Sequence, residues 1–209
     1  MLVEAGPIAE LSPLASKYVE LSPSQLGAQN VVTAVIVTFR GLDTLGEVTV
    51  LFIATAGVGF LLRRRKDALP EGKKREGSEI LKTVSGFLYP LFFIFGAYIF
   101  VHGHLTPGGG FQGGVIIASG VLMVMLANVE YKPDHTVLHI VEGFSGVIFV
   151  LLGIAGLAVA GGFLDNRFLP IGETGRLFSA GAMGIIYSAI GLKVGSELSG
   201  ILQSFGGDR

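Results

Sequence analysis

The sequence has no cysteine and no tryptophan, and only 15% of its 209 residues are charged. The absence of cysteine excludes disulfides, thiolate metal sites, iron–sulfur clusters and thiol catalysis. The low charge, together with a mean hydropathy of +0.66, excludes an ordinary soluble domain. No stretch has the form of a nucleophile–base set, a zinc motif or a nucleotide-binding fingerprint, so we expect neither enzymatic activity nor a bound cofactor or metal. Prolines and the glutamates Glu4, Glu10 and Glu20 interrupt the first residues, so we expect no signal peptide.

Five stretches are apolar and long enough to cross a membrane, which takes about 20 helical residues. We expect an all-α integral membrane protein in which the five transmembrane helices cover 45–62, 84–102, 111–128, 137–163 and 177–194. Residues 31–39 are apolar but too short to span, and we expect a re-entrant or interfacial helix there, followed by a break at Arg40. The tail from Gly195 to Arg209 is weakly amphipathic, which predicts a surface location.

A glycine-rich stretch, Gly103 to Gly114, separates two of these spans and holds six of the chain's 32 glycines. Each glycine inside a helix costs about 0.5–1 kcal/mol relative to alanine, and Pro107 removes a backbone donor. The stretch therefore predicts a sharp turn between a helix that ends near His102 and another that begins near Phe111. Gly110 with Gly114, and Gly191 with Gly195, have the spacing of close helix–helix contacts.

The distribution of basic residues predicts the orientation in the membrane. If the run from Arg63 to Lys66 is cytoplasmic, eleven of the 15 basic residues are cytoplasmic and only Lys17, Arg40, Arg167 and Arg176 lie outside. We therefore expect the N-terminus outside, the C-terminus inside and the glycine-rich turn facing outward. Lys193 is one of the residues assigned to the cytoplasmic side. The basic residues from Arg63 to Lys82 act as a stop-transfer signal near anionic lipid headgroups, so we expect no nucleic-acid partner.

Asp43, Thr44 and Glu47 stand at the start of the first span. Thr44 and Glu47 have the spacing of a capping box, in which both side chains bind free N–H groups at a helix N-terminus, and Asp43 adds a favourable charge there. An ionisable group in a membrane helix is also typical of an ion path. The two interpretations are compatible, and both stay open.

The histidines allow a structural and a functional interpretation. His102 and His104 flank the turn, where they either bind backbone carbonyls or handle protons. His139 and Glu142 share one helix face, with His135 one turn earlier. Glu142 lies within an apolar run, so it either extends its carboxylate to the interface or belongs to a proton or cation relay.

Two motifs resemble parts of one protein family. Gly103-His104-x-x-Pro107-Gly108-Gly109-Gly110-Phe111-x-Gly113-Gly114, between two spans, resembles the B subunit of multisubunit Na+/H+ antiporters of the Mrp type, over roughly residues 80–199. The stretch from Asn30 to Leu51, with Arg40-Gly41-Leu42-Asp43-Thr44-Leu45-Gly46-Glu47 at its centre, is similar to the C-terminal end of the antiporter A subunit. Related modules occur in archaeal membrane-bound hydrogenases and sulfur reductases, where the A-end piece is a separate small subunit.

The resemblance implies a division of the chain and a role. The division is an extracytoplasmic arm (1–29), an A-end-like segment with one span (30–63), a basic cytoplasmic linker (64–82), a B-like four-helix membrane domain (83–199) and a cytoplasmic tail (200–209). The role is that of a small subunit in the cytoplasmic membrane that packs with the other subunits of a cation-translocating complex, of antiporter, hydrogenase or sulfur-reductase type.

In this role Na+ and H+ are transported rather than held as cofactors. The ion path is expected at Asp43, Thr44, Glu47, His139 and Glu142. The glycine-rich turn, comprising His104, Pro107, Gly108, Gly109, Gly110, Gly113 and Gly114, would shape an outward opening or a subunit contact. The alternative is a purely structural scaffold in which every carboxylate caps a helix or reaches the interface. A membrane enzyme is a distant third hypothesis.

Overall fold

The computed structural model describes residues 11–66, 77–128 and 130–206, and all regular structure in these ranges is helical. Five of the helices are long and apolar enough to cross a membrane, which confirms the predicted fold class. In chain order the helices are α1 (Pro13–Leu26), α2 (Val31–Ala34), α3 (Gly41–Lys66), α4 (Glu79–Val101), α5 (Gly110–Ala127), α6 (His135–Val159) and α7 (Met183–Gly206), with a π-helical turn at Val35–Phe39 and a 3-10 turn at Asn166–Phe168.

Helix α7 is the centre of the bundle. It packs against α3, α4, α5 and α6, while α4 and α5 also pack against each other. In its most apolar stretch 61% of the residues are buried, compared with 11% in α3. The outer faces of α3 and α6 therefore remain uncovered by this chain, and they carry large apolar side chains such as Phe60 and Phe144.

The N-terminal segment lies against the end of the bundle that carries the glycine-rich turn. Ser12 caps α1, and α1 ends at Gly27, whose backbone is left-handed with φ of 67°. The Asn30 side chain then caps α2 by accepting hydrogen bonds from the N–H groups of Val32 and Thr33. A π-helical turn follows and ends at Arg40, where the predicted break is confirmed.

The predicted capping box at Thr44 and Glu47 is wrong. Helix α3 begins at Gly41, so Thr44 already lies inside it. The fully buried Thr44 hydroxyl donates to the carbonyl of Ile36, at a distance of 2.7 Å. Thr44 thereby joins α3 to the preceding π-helical turn instead of capping a helix.

The last span also differs from the prediction. Helix α7 begins at Met183 rather than Leu177, and it continues to Gly206 rather than ending at Val194. The stretch from Gly195 to Gln203, predicted to lie at the surface, is helical and contains the buried polar residues Ser196, Glu197, Ser199 and Gln203. The assignment of Lys193 to the cytoplasmic surface is wrong for the same reason, because Lys193 is 8% exposed and lies near the middle of α7.

The connection between α6 and α7 is held in place by Asn166, which is fully buried. Its side-chain amide donates to the carbonyls of Leu26 and Ala180, and its amide oxygen accepts from the Thr38 hydroxyl. One asparagine therefore ties this connection to both α1 and the π-helical turn. The apolar core lies beneath it and includes Met183, Ile186 and Phe149.

Candidate functional site

The helices α3, α6 and α7 enclose a groove that contains most of the ionisable side chains at membrane depth. We call it the charged groove and define it by Phe52, Thr55, His139, Glu142, Lys193 and Glu197. Two cavities of 480 and 290 Å³ lie along it, and both are lined by Phe52 and Glu142. Lys193 lines the larger cavity, whereas Glu197, Thr55 and His139 line the smaller one.

The deepest part of the charged groove is an ion pair between Lys193 and Glu197, one turn apart on α7. The Lys193 ammonium lies 3.0 Å from Glu197 Oε2. The Thr55 hydroxyl of α3 donates to the other carboxylate oxygen, at 2.8 Å, and the ammonium lies 5.3 Å from the centre of the Phe52 ring. The Lys193 and Glu197 side chains are 10% and 2% exposed, so both charges are removed from the surface of the chain.

The outer part of the charged groove is the predicted pair of His139 and Glu142, which the structure places together. His139 Nδ1 lies 3.6 Å from Glu142 Oε2. The Glu142 side chain is 19% exposed and faces the groove, whereas His139 is 74% exposed, and its ring stacks on that of His135. A line of ionisable groups therefore runs from an exposed imidazole to a buried carboxylate.

Lys193 and Glu197 were missed by the sequence analysis. A pattern that points to them is present, since a lysine and a glutamate at i,i+4 inside an apolar helix have the spacing of an ion pair. Their position after a long apolar run made them resemble the polar end of a span. The partner that fixes Glu197, Thr55, is 142 residues away in the sequence.

The predicted residues at the start of α3 do not join the charged groove. Asp43 is exposed and pairs with Arg40. Glu47 is exposed on the side of α3 and lies eight residues before Thr55, or about 12 Å along the helix axis. The structure therefore separates Asp43, Thr44 and Glu47 from His139 and Glu142.

The glycine-rich turn lies at the opposite end of the bundle and anchors the N-terminal segment. The Asn30 side-chain amide donates to the carbonyls of Gly103 and Thr106, and the Thr33 hydroxyl donates to the carbonyl of Gly103. His102 caps α4, and its ring contacts the Tyr98 carbonyl at 3.1 Å. His104 is fully buried, and neither of its ring nitrogens has a hydrogen-bond partner among the described residues.

The glycines of the turn allow close contacts with α4 and α7. A methyl group on Gly110 would lie 2.6 Å from Ile190 Cβ, and one on Gly114 would lie 2.8 Å from the Gly191 carbonyl oxygen. Gly113 approaches the carbonyl of Gly96 in the same way, and Gly108 approaches that of Ile99. Gly109 lies beside Tyr187, while Pro107 is exposed. The prediction that Gly110, Gly114 and Gly191 serve helix packing is confirmed.

Within the described ranges, no group of three or more His, Cys, Asp or Glu side chains is placed to hold a metal ion. Outside the spans, burial lowers the pKa of His104, and the Asp165 carboxylate raises the pKa of the Arg167 guanidinium, to which it is hydrogen-bonded. Five spanning helices with ionisable side chains at membrane depth define a multi-pass membrane protein.

The particular family follows from two matches. Residues 80–200 match the model of a domain related to the MnhB subunit of Na+/H+ antiporters, and residues 8–74 match that of the MBH protein MbhE. The chain belongs to the family of MnhB-related domains. Both resemblances predicted from the sequence are confirmed, because each piece is matched by a model of its own.

Individual relatives agree with this assignment. The fold is similar to a chain of the membrane-bound sulfane sulfur reductase, an archaeal respiratory membrane complex, with a TM-score of 0.84 and 44% identity over 97% of this chain and 89% of that one. It is also similar to a chain of the Mrp complex from Dietzia sp. DQ12-45-1b, with a TM-score of 0.74 and 28% identity over 95% of this chain. This chain spans only 23% of that Mrp chain. The B subunit of the Na+/H+ antiporter of Bacillus subtilis is 32% identical over 100 residues, which are 44% of this chain and 69% of that protein.

Proposed function

We propose that this protein is a non-catalytic subunit of a multisubunit, Na+/H+ antiporter-like complex in the cytoplasmic membrane, and that it contributes carboxylates to the cation path. The complex is of the respiratory type. This assignment is supported by the coverage, since the chain matches most of its counterpart in the sulfane sulfur reductase but less than a quarter of its counterpart in the Mrp complex. Transported Na+ and H+ are the only ions that the function requires.

The observation that carries this proposal is the position of Glu142 in the charged groove. Carboxylates in membrane helices are costly and usually mark ion or proton paths. Glu142 lies within α6, and it faces a groove that also holds Lys193 and Glu197. A carboxylate that only reached the interface would not need this second charged pair behind it.

The exposed side of α3 supports the proposed partners. Glu47 is exposed between apolar side chains such as Val50, which is 66% exposed. Because a charge facing lipid is unfavourable, we expect a helix of a neighbouring subunit to cover this side of α3. In the proposed path Asp43, Thr44 and Glu47 then lie between two subunits, whereas His139 and Glu142 lie within this chain.

The test is cation transport by membrane vesicles that contain the whole complex. Glu142→Gln and Glu47→Gln should each lower Na+-dependent proton movement by about 100-fold, the usual effect of losing a proton-transferring group. Glu130→Gln is the matched control, because Glu130 is exposed in the connection between α5 and α6. Normal transport by both of the first two variants would contradict the proposal.

The alternative function is that of a structural scaffold, and the turn favours it locally. Asn30, Thr33 and the glycines of the turn all make packing or hydrogen-bond contacts. A scaffold predicts that the Glu→Gln variants co-purify with their partner subunits and transport normally. Co-purification with loss of transport would exclude the scaffold as the whole function.

A further inference from the structure

The partners of Lys193 leave one direction of its ammonium group open. An ammonium has three N–H donors. One points to Glu197, and the group lies over the Phe52 ring. The side chain also passes Gly146 of α6, where a methyl group would lie 3.8 Å from both Cδ and Cε of Lys193. Gly146 is one helical turn, about 6 Å, from Glu142, so the free side of the ammonium faces the cavity that Glu142 lines.

The formal charges in the charged groove do not cancel. Glu142 and Glu197 contribute two negative charges, and Lys193 contributes one positive charge. A surplus negative charge is unfavourable in a low-dielectric groove, so the three groups favour the uptake of one more cation. Each oxygen of Glu197 already has a donor, Lys193 or Thr55, which leaves little room for the several oxygen ligands of a bound Na+. A proton needs only one oxygen.

We propose that Lys193 relays a proton between Glu142 and Glu197, so that the charged groove alternates between a state with a net charge of −1 and a neutral state that holds one extra proton. This inference rests on the proposed function and assigns its proton-carrying step to residues that the sequence analysis did not identify. His139, exposed beside Glu142, is the group at which the proton enters.

The relay conserves protons and charge at each step. The His139 imidazolium first gives its proton to the Glu142 carboxylate, so that an N–H bond breaks and an O–H bond forms. Lys193 then transfers one ammonium proton to the carboxylate of Glu197, at 3.0 Å, and becomes a neutral amine. The carboxylic acid of Glu142 finally returns a proton to that amine. One proton has moved from Glu142 to Glu197, and the lysine is unchanged.

Few other charged groups face the relay. Helix α5 has no charged residue. Helix α4 contributes Glu79 and Lys82 near its N-terminus, and α3 contributes Asp43 and Glu47 before Phe52 and a basic run at its C-terminal end. On α6 the other titratable group is His135, which stacks on His139.

The decisive variant is Lys193→Arg in the whole complex. Arginine keeps the positive charge and pairs with Glu197, but its guanidinium does not release a proton in proteins. A relay therefore predicts that Lys193→Arg slows proton movement in vesicles by about 100-fold while the complex still assembles. A purely structural ion pair predicts no change. Lys132→Arg is the matched control, since Lys132 is exposed in the connection between α5 and α6.

A second measurement keeps the proposal testable if Lys193→Arg prevents assembly. Infrared difference spectra of the purified complex during a pH titration report the carbonyl band of a protonated buried carboxyl group. The relay predicts one such band in the wild type that disappears in Glu197→Gln. An unchanged band in Glu197→Gln, or wild-type transport by Lys193→Arg, would overturn the proposal.

The outcomes separate this inference from the proposed function. If wild-type vesicles move no protons in response to Na+, the proposed function fails. If they do, and Lys193→Arg retains the rate but requires more Na+, the groove binds Na+ rather than relaying protons, and only the relay is overturned. Loss of proton movement at every Na+ concentration supports the relay.

Discussion

At the scale of single residues, the surroundings of a side chain decide its role more than its type does. Glu47, Glu142 and Glu197 are all glutamates in membrane helices, but they are exposed, partly exposed and buried, respectively. Only Glu197 has its charge balanced by a lysine of the same helix. Such a pair is strongly destabilised when one partner is removed, whereas a charge-conserving substitution leaves the electrostatic balance intact. Lys193→Arg therefore isolates proton release from charge.

His104 gives a residue-scale prediction for stability. Burial lowers its pKa from the ordinary value of 6.5, and nearby backbone groups of Arg176 and Leu177 oppose this effect only in part. The unfolded chain therefore binds a proton at a higher pH than the folded chain does. The resulting stability is fully present above the unfolded pKa and is lost as the pH falls below it, by at most about 1.4 kcal/mol per pH unit.

The measurement for His104 is the thermal unfolding temperature of the purified protein between about pH 7 and pH 5. We expect the wild type to lose stability over this range and His104→Gln to show a smaller loss. His135→Gln is the control, because His135 is exposed at the start of α6 and should leave the slope unchanged. Equal slopes in all three proteins would contradict the role assigned to His104.

At the scale of elements, hydropathy predicted the number of spans correctly but not the bounds of the last one. The turn ends the preceding helix as expected, because glycine and proline act locally, and α5 begins within a residue of the predicted position. The bounds of α7 depend on distant partners instead. Glu197 is held by Thr55, and Gln203 donates to the Pro133 carbonyl at 2.8 Å. Local composition cannot indicate contacts that only the folded bundle creates.

The contact between α5 and α7 gives an element-scale prediction. A methyl group on Gly114 would lie 2.8 Å from a backbone oxygen of Gly191, which cannot move without shifting the helix. We expect Gly114→Ala to lower stability by about 1–3 kcal/mol, as overpacking usually does. Gly143→Ala is the matched control, because no atom lies within 4 Å of its added methyl group. Thermal unfolding of both variants is the measurement, and equal destabilisation would contradict close packing at Gly114.

At the scale of the molecule, two pieces that separate family models describe form one bundle. The N-terminal piece contributes Asn30 and Thr33, whose side chains bind carbonyls of the glycine-rich turn. It also contributes Thr55, which binds Glu197 near the other end of α7. The sequence motifs identified both pieces, but not that they meet at the turn and in the charged groove. The proposed division into domains remains a prediction, because the contacts join the pieces tightly.

The orientation of the bundle decides from which side the charged groove takes its proton. His139 lies one turn after α6 begins, next to the connection between α5 and α6. With Lys193 removed from the surface charges, ten of the remaining basic residues still lie on the predicted cytoplasmic side and four on the other. The positive-inside rule therefore still places this connection, and the entrance at His139, in the cytoplasm.

Because the chain has no cysteine, single substitutions test this orientation without background labelling. Lys132→Cys lies in the connection between α5 and α6, and Glu173→Cys lies in the connection between α6 and α7; both positions are exposed. In intact cells a membrane-impermeant maleimide should label Glu173→Cys, whereas Lys132→Cys should react only after permeabilisation. The reverse pattern would place the entrance of the relay on the outer side, so that His139 would take protons from the exterior and the direction of the proposed relay would be inverted.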